Sequence, residues 1–409
     1  MKRKMRTKAL LLVLVPFLGI SCSEEELLDI KKIELDLKAQ TLVEADNTFG
    51  LELFQRINET EEENFMISPL SVSLALAMTY NGAENETKTA MEEALKVSGL
   101  TTDEINQSYK TLTDALLNID TKVTLETAQS IWYKEGFTVL EDFKTVNQTY
   151  YDAEVNELDF SRSDAKDIIN EWIEDKTHDK IKDMISEVSP EHVMFLINAI
   201  YFNGEWRSEF DTDNTSKKTF KINDDQSIEV DMMQKEDSVS YTTNDLFAAI
   251  EMPYGRGNFN MVVLLPNEDV SCSDIASELT VENWNNWMES FYMVSDMDIW
   301  LPKFKSEYEI KLNDVLSAMG MKIAFTNTAD FSGINGTGEI YIDYVQHNTF
   351  IDVNEKGTEA AAATVVAIFE TAIPSTPQFH AIRPFIYAIT EKETGAILFI
   401  GKIVEPSYD

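Results

Sequence analysis

Few residues in this chain have side chains that could do chemistry on their own. Cys22 and Cys272 are the only cysteines, too few for a disulfide framework or a cysteine zinc site. The four histidines, His178, His192, His347 and His380, are scattered, and none stands in a metal-ligand spacing such as HExxH. There is no GxSxG and no pair of carboxylates in a distinctive setting, so no enzyme, metal or cofactor is expected. What remains is one stretch, Glu355 to Ser375, reading EKGTEAAAATVVAIFETAIPS. No side chain in it is a catalyst. Its alanines suit a helix, and its β-branched and aromatic residues suit a strand. Given strand periodicity, Thr358, Ala360, Ala362, Thr364, Val366 and Ile368 share one face, small at first and then apolar. Such a strand fits between two existing strands without a clash, and Gly357 supplies a pivot. The physics permits a loop that becomes a strand.

Other elements must present that loop. The chain has 409 residues, 44% of them hydrophobic, ample for a large core. From Thr41 onward there is no linker, repeat or low-complexity tract, so one domain is expected over residues 41–409. ADNTFGLELFQRI has helical spacing. In ISPLSVSLALAMTYNGA, Ser68 caps, Pro69 takes the first helical position and Gly82 stops a buried helix. TKTAMEEALKV and SDAKDIINEWIEDKTHDKI read as further helices. VMFLINAIYF reads as a central strand covered on both sides, with Asn198 in its middle requiring partners. FNMVVLLP and DMDIWLPKF are strands, and RPFIYAI with AILFIGKI forms a hairpin. Helices and strands mix without regular alternation, which predicts an α+β fold.

The formal net charge is −38. A surface this acidic repels phosphate backbones, anionic lipid and sulfated glycan, so no nucleic-acid partner is expected. At the N-terminus, MKRKMRTK is a basic region and ALLLVLVPFLGI an apolar one of signal-peptide length. LGISC follows, resembling a bacterial lipoprotein signal. Residues 1–21 are thus expected to be removed, leaving Cys22 acylated. Residues 22–40 then form an acidic tether, whose SEEE resembles surface-export signals of Bacteroidetes lipoproteins. An exported protein at the outer membrane or cell surface is expected, with secretion or a periplasmic place as the alternative.

NEKGTEAAAAT, followed by FHAIRPFIYAI, closely resembles the serpins, the first matching their proximal hinge and the second their C-terminal signature. NFMISPLSVSLALAMTYNGA, FLINAIYFNGEWRSEF, IEMPYGRGNFNMVVLLP and LPKFKSEYEIKLNDVLSAMGM match as well, in the family's order, over about Thr41 to Pro406. The resemblance implies helices packed around three β-sheets with an exposed reactive-centre loop. It also implies a suicide inhibitor of serine proteases, an established case of strand addition that releases stored strain. A protease cuts the loop, and the hinge enters the central sheet while the acyl-enzyme persists in a covalent 1:1 complex. About fourteen inserted residues, Thr358 to Thr371, would span ~45 Å. Roughly ten new backbone hydrogen bonds at ~1 kcal/mol each would drive the insertion.

By the same resemblance, Glu355, Gly357, Thr358, Glu359, Ala360, Ala361, Ala362, Ala363 and Thr364 form the hinge. Ser68, Ser71, Asn198 and His347 form the polar shutter through which the sheet opens. Trp206, Lys303 and Glu355 form the breach where insertion begins, with an ion pair expected between Lys303 and Glu355. Counting from the hinge places the scissile bond at Thr371–Ala372. Counting back from Pro384 points nearer Ile373, and Phe369 and Glu370 are the other reactive residues considered. Small aliphatic or aromatic residues at the cut suit elastase-like, chymotrypsin-like or subtilisin-like proteases, and the lack of basic residues disfavours trypsin-like ones. The helix matching the family's heparin site, within TTDEINQSYKTLTDALLNID, is not basic, so no heparin-like cofactor is expected. A monomer is expected. The alternative is a non-inhibitory surface lipoprotein of the same fold, acting as a binding module.

Overall fold

The computed structural model describes residues 30–358 and 377–408. The first half of the chain runs α1 (Leu37–Asn58), β1 (Phe65–Ile67), α2 (Pro69–Tyr80), α3 (Asn85–Ala94), α4 (Thr102–Leu117), β2 (Val123–Lys134), α5 (Glu141–Tyr151), β3 (Glu154–Leu158), α6 (Ala165–Lys176) and β4 (Met194–Glu205). Then come β5 (Ser216–Lys221), β6 (Ser227–Thr243), β7 (Phe247–Tyr254), β8 (Phe259–Pro266), α7 (Cys272–Ser277), α8 (Val281–Glu289), β9 (Tyr292–Pro302), β10 (Phe304–Lys311), α9 (Asn313–Ala318) and α10 (Ser332–Asn335). The remainder is β11 (Gln346–Asn354), β12 (Gly357–Thr358), β13 (Gln378–His380), β14 (Phe385–Glu391) and β15 (Ile397–Ile403).

Local chemistry explains the elements that matter most. The Ser68 hydroxyl accepts from the Ser71 N–H, and Pro69 opens α2, whose residues are buried nearly all round. The helix starts where the sequence predicts. By contrast α1 begins at Leu37, before the boundary expected at residue 40. The Asp36 carboxylate caps it, accepting from Lys38 N–H at 2.9 Å and Ala39 N–H at 2.8 Å. That cap sits inside a run of charges and looks like tether. Ile33 and Leu35 already pack on the core, and the Lys31 carbonyl accepts from Asn258 Nδ2. The third helical stretch is also shorter than its sequence pattern: His178 and Asp179 take positive φ values of 51° and 62°, which ends α6.

The strands form two hydrogen-bonded networks rather than three separate sheets. The reason is β6. Its first part pairs with β5 and β9, and its last residues pair with β7, so the two smaller sheets share one strand. The result is a nine-stranded path in the order β1-β15-β14-β8-β7-β6-β9-β13, with β5 on β6. The second network has six strands in the order β10-β11-β12-β4-β2-β3. The main core lies between the networks, where Phe202 of β4 meets Tyr254 and Phe259 edge-on. A smaller cluster on the other face of the six-stranded sheet packs Ile169 and Ile173 of α6 against Trp132 and Ile197. The strand containing Asn198 is thus covered on both sides, as its continuous apolar run predicts.

Candidate functional site

The six-stranded sheet is incomplete in its middle. β12 is two residues long and bridges β11 and β4: Gly357 lies opposite Asn354 and Glu205, and Thr358 opposite Val353 and Gly204. Below that bridge, β11 and β4 share no ladder pairing among the described residues. The beginning of the alanine-rich segment is therefore already a strand, at the top of a slot.

The top of the slot is tightly fastened. Gly357 has φ +153°, and a Cβ there would meet the Gly204 carbonyl oxygen at 2.1 Å, so the position admits only glycine. Glycine works here as a site of close backbone approach, a reason beyond the pivot expected from the sequence. Thr358 is buried, and its hydroxyl lies 2.7 Å from that of Tyr254. The Tyr254 ring stacks on Trp206 at 4.4 Å and 13°. Trp206 donates its indole N–H to the Asn354 carbonyl at 2.9 Å and its backbone N–H to Lys356 O. Lys303 forms the expected ion pair with Glu355, Nζ to Oε2 at 3.0 Å, and Thr215 donates to Oε1 of the same carboxylate at 2.8 Å. Burial pushes the Glu355 carboxyl up, but hydrogen bonds from its own backbone, Lys303 and Thr215 outweigh it and hold the group below its ordinary value. Lys303 also lies over the Tyr408 ring, at 4.2 Å. Sequence reasoning missed Thr215, Tyr254, Asn354 and Tyr408. Tyr254 sat in a quoted stretch, but nothing in its spacing shows that it faces the hinge.

Half-way down the slot the polar residues fall into two halves. On the β11 side, His347 accepts from the Ser68 N–H through Nε2 at 3.0 Å. On the β4 side, the Ser71 hydroxyl bonds Asn198 Oδ1. Both Ser68 and Ser71 belong to the start of α2, so one helix end grips both lips of the slot. The four residues expected to form one network are brought together: the Ser71 N–H donates to the Ser68 hydroxyl and links the two halves at α2, yet His347 and Asn198 do not bond each other across the slot. Asn198 is 5% exposed, and its Nδ2 has no hydrogen-bond partner. Burial pushes the His347 imidazole down to about 4, so the ring is neutral at physiological pH. Ser73, further along α2, lies by another buried acid. Asp46 Oδ1 accepts from Tyr109 at 2.7 Å, its Oδ2 has no partner, and burial pushes this carboxyl up to about 7. Its sequence setting, mid-helix in ADNTFG, gives no sign of this.

The slot widens downward. Beneath Thr358 the space is about 20 Å³, bordered by Thr177, Ile181, Ile200 and Phe202. Below Asn198 and His347 it opens to a cavity of about 360 Å³.

The other singled-out residues lie apart. Burial pushes the Cys272 thiol up to about 12, which leaves it inert. His178 pairs with Glu126 at 2.7 Å, and His380 with Asp298 at 2.8 Å. His192 lies 3.6 Å from Asp343. No group of three metal-ligating side chains occurs among the described residues. No described helix is long and apolar enough to cross a membrane. Cys22, the hinge residues Glu359, Ala360, Ala361, Ala362, Ala363 and Thr364, and the reactive residues Phe369, Glu370, Thr371, Ala372 and Ile373 lie outside the described residues.

Comparison with known proteins gives this geometry a family. A profile described as "Serpin (serine protease inhibitor)" matches residues 44–406. An uncharacterized serpin-like protein of Methanosarcina acetivorans is 34% identical over 370 residues, covering 89% of this chain and 86% of its own. The native structure of the thermophilic serpin tengpin superposes with a TM-score of 0.82 at 33% identity, covering 92% of this chain and 96% of the other. Human thyroxine-binding globulin, in complex with thyroxine, matches at 27% identity with a TM-score of 0.82, over 91% and 100%. No enzyme family is among these matches, and the chain belongs to the serpin family.

Proposed function

We propose that this serpin is a suicide inhibitor of serine proteases with elastase-like, chymotrypsin-like or subtilisin-like pockets. The observation that carries the reading is the register of β12. Continued downward one residue at a time, it sets Thr364 opposite Asn198 on β4 and opposite His347 on β11 at once. Thr358, Ala360, Ala362 and Thr364 would share the face on which Thr358 meets Tyr254. A threonine hydroxyl would then stand beside the one shutter amide that lacks a partner. Buried amides left unpaired cost about 1–3 kcal/mol, so insertion would relieve a defect that the open slot retains. Val366 and Ile368 would follow on the same face, toward the apolar cavity. The sequence has no proline or charge at the slot-facing hinge positions to oppose this.

In this reading the protease attacks at Thr371–Ala372, or within Phe369 to Ile373. Insertion then draws the acylated protease along the sheet and distorts its oxyanion hole, which slows deacylation a hundredfold or more. Incubation with pancreatic elastase and with subtilisin tests it. The expected product is a denaturant-resistant complex larger than either partner, and mass spectrometry of the clipped chain gives the scissile bond. A clipped chain with no complex would place the protein instead among non-inhibitory binding modules. Attachment through an acylated Cys22 is a separate part of the proposal, tested by palmitate labelling of the wild type and Cys22→Ser in the producing cell.

A further inference from the structure

The cavity below the shutter differs in chemistry from the slot above it. Its volume of about 360 Å³ lies in the range of small-molecule sites, roughly 300 to 1,000 Å³. Leu76, Ile197, Ile334 and Ile342 supply apolar walls from α2, β4, α10 and the segment before β11. Two polar groups at this cavity are buried without partners: Asn198 Nδ2, a donor lacking an acceptor, and the Tyr344 hydroxyl. The walls include three carboxylates, Glu191, Glu339 and Asp343, and no lysine or arginine.

We propose that this cavity is a binding site for an uncharged medium-chain lipid bearing a hydroxyl or ester carbonyl at one end. The polar end accepts from Asn198 Nδ2, and the chain lies along the α2 side of the cavity. A fatty-acid carboxylate is disfavoured, because the walls present three carboxylates and no lysine or arginine. The regulatory part rests on the insertion reading. Bound lipid occupies the space that Val366 and Ile368 need, so it acts as a brake: cleavage proceeds while trapping fails.

The probe is n-decanol, with decanoate as its charged counterpart and intact purified protein as the target. Decanol should raise the melting temperature saturably, by about 2 °C, since it binds the folded state alone. Decanoate should give no shift. Ala75→Leu, on α2 at the cavity wall, fills the space and should abolish the decanol shift. A non-saturable decanol response, an equal shift in Ala75→Leu, or an equal shift with decanoate would each overturn the site. With elastase, saturating decanol should at least double the inhibitor consumed per protease. An unchanged ratio beside a saturable melting shift overturns the brake. If no complex forms even without decanol, the inhibitory reading fails, and the melting series still decides the site.

Discussion

The top and the middle of the slot are built from the same kinds of residue and finished to different degrees. At the breach, Trp206, Lys303, Thr215 and Tyr254 each have a partner on or beside β12, and no breach side chain is among the buried groups left unpaired. At the shutter, α2 holds two lips that do not bond each other, and one amide hydrogen-bond donor is orphaned. The difference teaches where a strand-accepting sheet keeps its reserve. On the proposed reading, saturated contacts would fix the place where the incoming strand starts, and unsaturated ones, lower down, would make its continuation favourable.

The largest expected effect comes from charge in the hinge. Thr358→Arg would bury a guanidinium beside Tyr254, and Thr364→Arg would do so at the shutter. Each should abolish covalent complex with elastase, raising the inhibitor consumed per protease about tenfold or more. Full complex yield from Thr364→Arg alone would mean that insertion stops above the shutter, and the contrast would have to be redrawn. Next, Lys303→Met removes the cation from the well-buried Glu355 and should cost about 3 kcal/mol of native stability in urea unfolding. A cost below that of a surface pair would show that the breach is less finished than it looks.

Acidity tests the grip of α2. His347 is held neutral by a pKa of about 4 against an ordinary 6.5, so its contribution is full above pH 6.5 and lost as pH falls toward 4. Asp46 is held protonated by a pKa of about 7 against 3.8, so its contribution is full below pH 3.8 and lost as pH rises toward 7. His347 is worth about 3 kcal/mol and Asp46 about 4 kcal/mol, and the two oppose each other between pH 4 and 6.5. Asp46→Asn should therefore make stability fall more steeply on acidification over that window. His347→Gln should make it rise. Parallel curves for wild type and both variants would remove titration from the account. The smallest effect belongs to Tyr254→Phe, which loses one hydroxyl contact to Thr358. It should cost about 1 kcal/mol, read as faster amide exchange at Thr358 with little change elsewhere.

Legibility from sequence followed the range of the forces involved. The α2 helix was readable because cap, proline and stop lie within sixteen residues. The run from Met194 was readable as a doubly covered strand because continuous apolarity has few other meanings. Asp36 was not, since a capping aspartate among lysines and glutamates looks like any solvated charge. Nor was the merging of the smaller sheets, because nothing local in β6 reports that its two ends pair in different neighbourhoods. At the site, residue types pointed to Lys303 with Glu355 and to Asn198 with His347. Only distances distinguish the first, a closed pair, from the second, two lips of an open slot. Asp46 and Thr215 carry no periodic or motif signal, and although Asn354 opens the hinge motif, nothing in its type shows that its carbonyl takes the Trp206 indole N–H.

The two-residue strand has one further consequence, in kinetics. Starting a new strand requires bringing distant segments into register before any bond repays the lost freedom. With Gly357 and Thr358 already seated on both neighbours, that nucleation step would, on the proposed inhibitory reading, be complete before a protease arrives. Closure would then proceed by propagation alone, and the race against hydrolysis of the acyl bond would begin with the slowest stage already behind it.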